Sequence, residues 1–249
     1  MIIIILNFTE KQSKSLLHRA VVESDTYTPL KLALPEPGIP EHPILERLTA
    51  WTQKALHERY PNEIRQPNVD KVASLRWLTD GVIFPDTEGF MVAIQDQVVL
   101  ARNYCKYIIR DGTEDDSCRR CHTAPETIQH IVPGCPSLAP VEYKRRHDLV
   151  AGLIHQELAL RYILLQERTP YYKYTPACVL QNEVVTLYWD RTVLTDKTVR
   201  HNRPDLIVVD RKNTVAKFVD VAIPCTHNLE QTTQDMATKY VELAGAVKD

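Results

Sequence analysis

Residues 203–220, RPDLIVVDRKNTVAKFVD, contain two segments rich in Val, Ile and Phe that flank a short polar turn. Such segments favour β-strands, and the turn predicts a hairpin centred on Lys212 and Asn213. In that register Asp205 stands directly opposite Asp220, and opposed residues have Cβ atoms about 4.5–5.5 Å apart. One face then carries Asp205, Ile207, Val209, Ala216, Phe218 and Asp220, and the other carries Leu206, Val208, Val215, Val219 and Val221. Because both faces are largely apolar, we expect the hairpin to lie centrally in a sheet that is covered on both sides.

Two aspartates held this close define a candidate metal site. At an effective dielectric near 20 their charges repel by about 3–4 kcal/mol, so a positive group should lie between them. Mg²⁺ prefers oxygen ligands and, bound by Asp205 and Asp220, would polarise a phosphate and activate a water. The hairpin therefore predicts a catalytic Mg²⁺ site.

A lysine completes the site in nucleases with the PD-(D/E)-x-K pattern, where it follows the second acid by two residues. Ala222 occupies that position here. The last predicted helix turns a stripe of residues toward the core, namely Leu229, Thr233, Met236, Tyr240 and Leu243. Lys239 flanks this stripe, and its long side chain can reach back toward the carboxylates. Lys239 is thus the candidate third catalytic residue.

A cysteine and histidine cluster precedes the hairpin. Cys118, Cys121, His130 and Cys135 follow the spacing Cys-x2-Cys-x8-His-x4-Cys. Zn²⁺ takes four such ligands in a tetrahedron, and a Cys3His set without an open position is a structural site. His122 is an alternative ligand, although the spacing favours His130. The alternative without metal is four unpaired residues in a loop.

Basic residues near these two sites are candidate contacts for nucleic-acid phosphates. They are Arg119, Arg120, Lys144, Arg145, Arg146 and Arg203. The alternative is ordinary solvated surface charge. The whole chain has 30 Lys and Arg against 32 Asp and Glu, so its net charge indicates no nucleic-acid partner by itself.

The 249 residues predict an α+β fold with a mostly helical N-terminal part, an embedded zinc knuckle and a small α/β domain. The expected segments are a leader and Pro-rich linker (1–43), a helical segment (44–110), the knuckle (111–140), a connecting helix (141–169) and the α/β domain (170–249). No stretch has the roughly 20 apolar residues of a membrane span, and the opening residues 1–6 lack the basic region of a signal peptide. We therefore expect an intracellular protein with reduced cysteines and no membrane partner.

Apolar spacing predicts the helices more closely. A first helix carries Leu45, Leu48, Thr52, Ala55 and Leu56. A second carries Val72, Leu75, Trp77 and Leu78 and ends at Asp80-Gly81. A third carries the stripe Phe90, Ile94, Val98, Ala101, Cys105 and Ile108. The connecting helix carries Leu149, Leu153, Leu158, Tyr162 and Leu165 and is stopped by Thr169-Pro170. A further helix should then follow the aromatic turn 171–176 and reach about Trp189, before the strands.

Many short motifs in one order resemble the C-terminal third of reverse transcriptases from non-LTR retrotransposons of the restriction-like-endonuclease class, the type that inserts into ribosomal DNA. The resemblance runs from about Ser15 to the end of the chain. The matching motifs are TEGF (87–90), AIQDQV (93–98), RNY (102–104), the Cys3His knuckle with ETIQHI (126–131), RH (146–147), PYYKY (170–174), LYWD (187–190), TDK (195–197), NRPD (202–205), Asp220 and KY (239–240).

The resemblance implies a restriction-like endonuclease that nicks target DNA to prime reverse transcription. It implies that Asp205 and Asp220 bind the catalytic Mg²⁺, that Lys239 assists, and that the knuckle and helical segment grip template RNA or target DNA. It also implies a nuclear location. The oligomeric state is left open.

Two departures from the family bear on this expectation. No apolar-flanked Asp-Asp pair of a polymerase palm occurs, so we expect no polymerase activity from this chain. Met236 stands where many relatives carry a further lysine. Three functions therefore stay open: a metal-dependent DNA endonuclease, a catalytically inactive zinc-knuckle protein or domesticated fragment that binds nucleic acid, and a zinc protein that acts through protein contacts.

Overall fold

The computed structural model describes residues 2–7, 46–47, 49–50, 59–225 and 228–248. The chain divides into two compact units, the knuckle unit (residues 26–139) and the sheet unit (residues 1–25 and 140–249). The predicted first helix and the Pro-rich linker lie outside the described residues. Segment 141–169, expected as a separate connector, falls in the same unit as the sheet. Among the described residues, no helix has both the length and the apolar character needed to cross a membrane.

The helices in the described part of the knuckle unit are short. They are α1 (Arg59–Glu63), α2 (Lys71–Thr79), α3 (Pro85–Gln95) and α4 (Arg102–Tyr104), and π-helical turns cover Cys105–Ile109 and His130–Gly134. α2 starts where the Asp70 side chain accepts a hydrogen bond from the Ala73 N–H, and Asp80 caps its C-terminus, where the helix was predicted to end.

The predicted five-turn helix from Phe90 to Ile108 is wrong. α3 ends at Gln95, and Gln97 has a φ of 59°, a left-handed conformation that interrupts helical hydrogen bonding. Phe90 is 56% exposed and Ile108 is 45% exposed. The apolar period continued along the sequence although the backbone turned.

Among its described residues, the sheet unit has five antiparallel strands in the order β1-β5-β4-β3-β2. They are β1 (Ile2–Asn7), β2 (Val179–Gln181), β3 (Val185–Trp189), β4 (Leu206–Asp210) and β5 (Val215–Ala222). Residues 2–7, assigned above to a leader, instead pair with β5 as an edge strand. Four consecutive isoleucines suit this role because β-branched side chains favour extended backbone.

The predicted hairpin register is confirmed. Leu206 pairs with Val219 and Ile207 pairs with Phe218, as the turn position required. The Asp210 side chain closes the turn by accepting hydrogen bonds from both nitrogens of Asn213.

Both faces of the hairpin are covered, also as predicted. One face packs in a cluster of Ala159, Val185, Leu187, Leu206, Val208 and Val219. The opposite face packs in a cluster of Val199, Ile207, Phe218, Tyr240 and Leu243. β4 and β5 thus occupy the centre of a layered unit.

The predicted helix ending near Trp189 is wrong, because β2 and β3 form there. β3 has the sequence VTLYW, in which β-branched and aromatic residues favour a strand. The Asn182 side chain accepts hydrogen bonds from the backbone N–H groups of Val184 and Val185 and so fixes the turn between the two strands.

Helix α5 (Lys144–Arg161), preceded by a π-helical turn at Ala139–Tyr143, is shorter than predicted, and its buried face differs. Leu149 and Leu153 are exposed, whereas the buried residues are Ala151, Gly152, His155, Gln156 and Ala159. Small side chains let the helix backbone approach closely, which the apolar stripe alone did not predict.

The last helix is divided into α6 (Leu229–Lys239) and α7 (Val241–Lys248). Met236, Tyr240 and Leu243 are buried as predicted, whereas Thr233 is exposed and donates a hydrogen bond to the Leu229 carbonyl. The break at Tyr240 directs consecutive residues 239 and 240 toward β5.

Candidate functional site

The four predicted zinc ligands converge in the knuckle unit. One ligand atom from each of Cys118, Cys121, His130 and Cys135 lies within 4.8 Å of the others. The Sγ atoms of Cys118 and Cys135 are 3.9 Å apart, and two thiolates on one tetrahedral Zn²⁺ are about 3.8 Å apart. The cluster therefore fits a structural Zn²⁺.

Local hydrogen bonds shape the loop that carries the first two cysteines. The Cys118 N–H donates to the Ala124 carbonyl at 2.8 Å, and the His122 N–H donates to the Cys118 carbonyl at 2.9 Å. His122 adopts a left-handed φ of 56° and its side chain is exposed, away from the ligand group. His130, not His122, completes the cluster.

The Cys121 thiol is prepared for the thiolate form. The Thr123 hydroxyl donates a hydrogen bond to its Sγ at 3.2 Å, and the pKa of Cys121 is lowered to about 6, with that hydrogen bond as the main cause. The Nε2 atom of His130 lies 3.1 Å from the same sulfur. A metal ligand must be deprotonated, so this environment favours binding.

A buried carboxylate stabilises the knuckle loop through hydrogen bonds. Glu126 is 3% exposed and accepts hydrogen bonds from the guanidinium and backbone N–H of Arg119 and from the Arg102 N–H. Its pKa is lowered to about 2, mainly by the Arg119 side chain. The guanidinium of Arg119, which was predicted to contact phosphates, is thus already engaged in a structural ion pair with Glu126.

The second site lies at one end of the central hairpin. Asp220 is buried on β5, and Asp205 lies directly before β4. The Lys239 ammonium donates to Asp220 Oδ2 at 2.7 Å, and the Tyr240 hydroxyl donates to Asp220 Oδ1 at 2.9 Å. Lys239 and Tyr240 therefore both contact Asp220, and Asp205 lies near enough for its charge to raise the pKa of Asp220.

Burial and the neighbouring Asp205 raise the pKa of Asp220, and Lys239 opposes this shift. Burial and the Asp220 carboxylate raise the pKa of Tyr240 well above its usual value, so its hydroxyl remains a donor. These directions describe a carboxylate in a poorly solvated position whose charge depends on its cationic partner.

His147 holds the other carboxylate, a role that sequence reasoning missed. Its Nε2 lies 3.3 Å from Asp205 Oδ2 and 3.0 Å from the Val221 carbonyl. The Val221 N–H donates to the same Asp205 oxygen at 2.7 Å. The Asp205 contact is the main cause that raises the pKa of His147 to about 9. His147 and Tyr240 both lay within quoted motifs, but only the fold shows what they touch.

The remaining predicted phosphate contacts engage acidic neighbours to different degrees. Within the sheet unit, Arg203 pairs with Asp190 through two hydrogen bonds of 2.7 Å. Lys144 lies 2.8 Å from Asp148, and Arg145 lies 3.7 Å from Glu142.

The last two candidates make other contacts. The Arg146 guanidinium stacks over the Tyr143 ring, 5.1 Å from its centre. Arg120 is exposed in the knuckle unit, and its carbonyl accepts from the Ser137 hydroxyl.

The aspartate pair offers Mg²⁺ two carboxylate ligands and, among the described residues, no third acidic or histidine ligand. In the part of the chain that the structure describes, the Cys/His cluster is the one group of three or more His, Cys, Asp or Glu ligands close enough to share an ion. Two carboxylates alone match the way Mg²⁺ is usually held, with waters and substrate phosphate filling its other positions.

None of the protein-family models, curated proteins and solved structures with which the chain was compared matches it. The fold and the cluster define the class at a coarse level, as an α+β protein with a Cys3His group suited to structural zinc.

Proposed function

We propose that this chain is the endonuclease segment of a retrotransposon-type reverse transcriptase and nicks target DNA in a metal-dependent reaction. The observation that carries the proposal is the contact of Lys239 with Asp220, beside Asp205, at one end of a covered β-hairpin. The hairpin register, the apolar stripe of the last helix and the family resemblance all select these three residues. Three successive elements supply them, and the packing of α6 against the sheet brings Lys239 to β5.

In this proposal Asp205 and Asp220 are the protein ligands of Mg²⁺, which when bound polarises the scissile phosphate and lowers the pKa of an attacking water. His147 and the Val221 N–H orient Asp205, and Tyr240 orients Asp220. Lys239 is placed to exchange its contact with Asp220 for a contact with phosphate charge.

The zinc knuckle serves as a folding unit and a nucleic-acid grip in the same proposal. Zinc binding stabilises such a module by roughly 10–16 kcal/mol. The exposed Arg120 and the outer edge of Arg119 are the cations that it offers to target DNA or template RNA.

The decisive experiment is nicking of supercoiled plasmid by zinc-loaded protein with Mg²⁺ or with EDTA. Wild type is expected to convert supercoiled into open-circular DNA when Mg²⁺ is present and not when EDTA is present. Asp220→Asn and Asp205→Asn should lose at least about 100-fold in rate, because each removes a metal ligand. Asp235→Asn, which changes an exposed aspartate on α6, should keep the wild-type rate.

A second candidate is a nucleic-acid-binding protein with an inactive nuclease fold. It is favoured by Met236, which is buried at the position where relatives carry a lysine. It is also favoured by the charge balance of the site, since Lys239 and His147 already offset both carboxylates. Salt-dependent DNA or RNA binding, without nicking by wild-type protein, would select this candidate over the endonuclease.

A further inference from the structure

A groove of ≈ 530 Å³ opens on the surface of the sheet unit. Tyr171, Trp189 and Leu149 contribute apolar walls, and Lys144 and Arg145 contribute cations. Tyr171 is 58% exposed, whereas Trp189 is half-buried with its ring edge against His155. This combination of aromatic faces and cations is independent of the three candidate catalytic side chains.

The strand that carries Trp189 lies beside the segment that carries Asp205. Trp189 pairs with Leu206 at the start of β4, one residue after Asp205. The N–H of the next residue, Asp190, donates to the Asp205 carbonyl at 2.7 Å. The backbones of Trp189 and Asp205 are thus close together, while the Trp189 ring packs against the cluster that contains Leu206 and Val219.

On the opposite wall, side chains of α5 connect the groove to the Asp205 carboxylate. Asp148 lines the groove and lies 3.1 Å from Nδ1 of His147. The other ring nitrogen of His147 lies 3.3 Å from Asp205. A ligand in the groove therefore lies close to the site where phosphate chemistry is proposed.

The chemistry of the groove matches an unpaired nucleotide. Aromatic faces stack bases of any sequence, and neighbouring cations follow the backbone. Lys144 and Arg145 pair with Asp148 and Glu142 only in exposed contacts within one helical region. Such pairs contribute little stability, so a phosphate can replace the carboxylate at small cost.

We propose that this groove binds an unpaired base of a single-stranded nucleic acid, stacked against Tyr171, with its phosphates at Lys144 and Arg145. A duplex keeps its bases stacked inside, so the groove selects a strand that is open beside the acidic site. This inference deepens the proposed function and rests on it for the direction of the strand toward Asp205.

The test is fluorescence-anisotropy binding of a labelled mixed-sequence single-stranded DNA and the matching duplex to the zinc-loaded full chain. All variants are made in the Asp220→Asn background and assayed in EDTA, so that the DNA stays intact. EDTA is added after excess free zinc has been removed, and the exposure is kept short enough to leave zinc in the knuckle. Tyr171→Ala should weaken single-strand binding by about 5- to 150-fold, the range for loss of one stacked base. Tyr171→Phe should retain affinity, because it keeps the aromatic face.

Tyr172→Ala is the matched control, since Tyr172 adjoins Tyr171 and is 68% exposed but does not line the groove. It should retain single-strand affinity, and duplex affinity should be nearly insensitive to Tyr171→Ala. A 5-iodouracil oligonucleotide should crosslink to Tyr171 or Trp189 on irradiation, as read by peptide mass spectrometry.

Equal losses for Tyr171→Ala and Tyr172→Ala, or crosslinks confined to other segments, would overturn the groove assignment. So would Tyr171-dependent binding of an oligoproline peptide without binding of single-stranded DNA. Tyr171-dependent DNA binding without nicking by wild-type protein would uphold the groove and reject the endonuclease. Nicking by wild-type protein, together with single-strand binding that Tyr171→Ala leaves unchanged, would uphold the endonuclease and reject the groove.

Discussion

The Lys239 ammonium lies 2.7 Å from Asp220 Oδ2, at the junction where α6 ends and the buried central strand β5 passes. Asp220 is only 7% exposed, so its charge has lost most of its water. The contact is thus a structural ion pair in the free protein as well as a candidate part of a catalytic site. A stability measurement can examine the first role without any activity.

Lys239→Met should lower the free energy of unfolding by about 1–3 kcal/mol at pH 7, because it leaves a buried carboxylate without its cation. The pKa of Asp220, already raised by burial, should rise further. Urea denaturation followed by circular dichroism measures the loss. Lys212→Met, in the exposed hairpin turn, should stay within about 0.5 kcal/mol of wild type.

The double variant Asp220→Asn/Lys239→Met tests whether the two charges act as a pair. It should be more stable than the sum of the two single losses predicts, because neither charge is then left alone. Simple additivity would contradict a direct interaction.

Zinc should bind once per chain through the Cys3His cluster. Cys118→Ser or Cys135→Ser should reduce the zinc content measured by mass spectrometry to a small fraction and unfold the knuckle unit, since the metal supplies much of its stability. Cys178→Ser is the matched control, because Cys178 is an exposed free cysteine outside the cluster. Equal zinc loss in all three variants would argue against the assigned ligands.

Glu126→Gln should loosen the knuckle without removing a zinc ligand. The buried carboxylate accepts from Arg119 and Arg102, and a neutral amide replaces these charge-assisted hydrogen bonds poorly. We expect a loss of about 1–3 kcal/mol and faster transfer of zinc to a colorimetric chelator. Glu114→Gln, at an exposed position, should transfer zinc at the wild-type rate.

His155 should make the sheet unit sensitive to mild acid. It is fully buried beside Tyr174 and Trp189, and burial lowers its pKa from 6.5 to about 4. Because the folded protein resists protonation, the stability from neutral His155 is complete above pH 6.5. It is lost as the pH falls toward 4, by about 3 kcal/mol at most.

The comparison of wild type with His155→Gln isolates this effect. Both proteins are unfolded with urea between pH 7 and pH 4.5. Protonation of the zinc ligands affects both equally, so it cancels in the difference between their free energies of unfolding. The wild-type stability should fall more steeply over this range. Parallel pH profiles would show that His155 does not titrate as its burial requires.

Short-range patterns predicted the features that depend on a few neighbouring residues. The Cys3His spacing identified all four ligands, including the choice of His130 over His122. The polar turn at residues 211–214 determined the hairpin register, which runs from Asp210 and Val215 to Leu206 and Val219. In both cases the backbone between the residues is too short to allow many other arrangements.

Patterns of apolar period were less reliable where packing decided the outcome. Residues 185–189 form a strand because they pair with β4, although the preceding stretch suggested a helix. Leu149 and Leu153 face outward because the smaller Ala151 and Gly152 allow closer packing of α5. Tertiary contacts outweigh a local preference of a few tenths of a kcal/mol per residue.

The sequence by itself therefore determined the members of the Cys3His cluster and the register of the β4–β5 hairpin, since each follows from the length and turn chemistry of one short segment. Only the tertiary structure decided that His147 holds Asp205, that Tyr240 holds Asp220, and that Tyr171 and Trp189 share a groove. The physical reason is that these neighbours come from distant elements. Their meeting depends on how helices and strands pack around two apolar faces, which no spacing along the chain records.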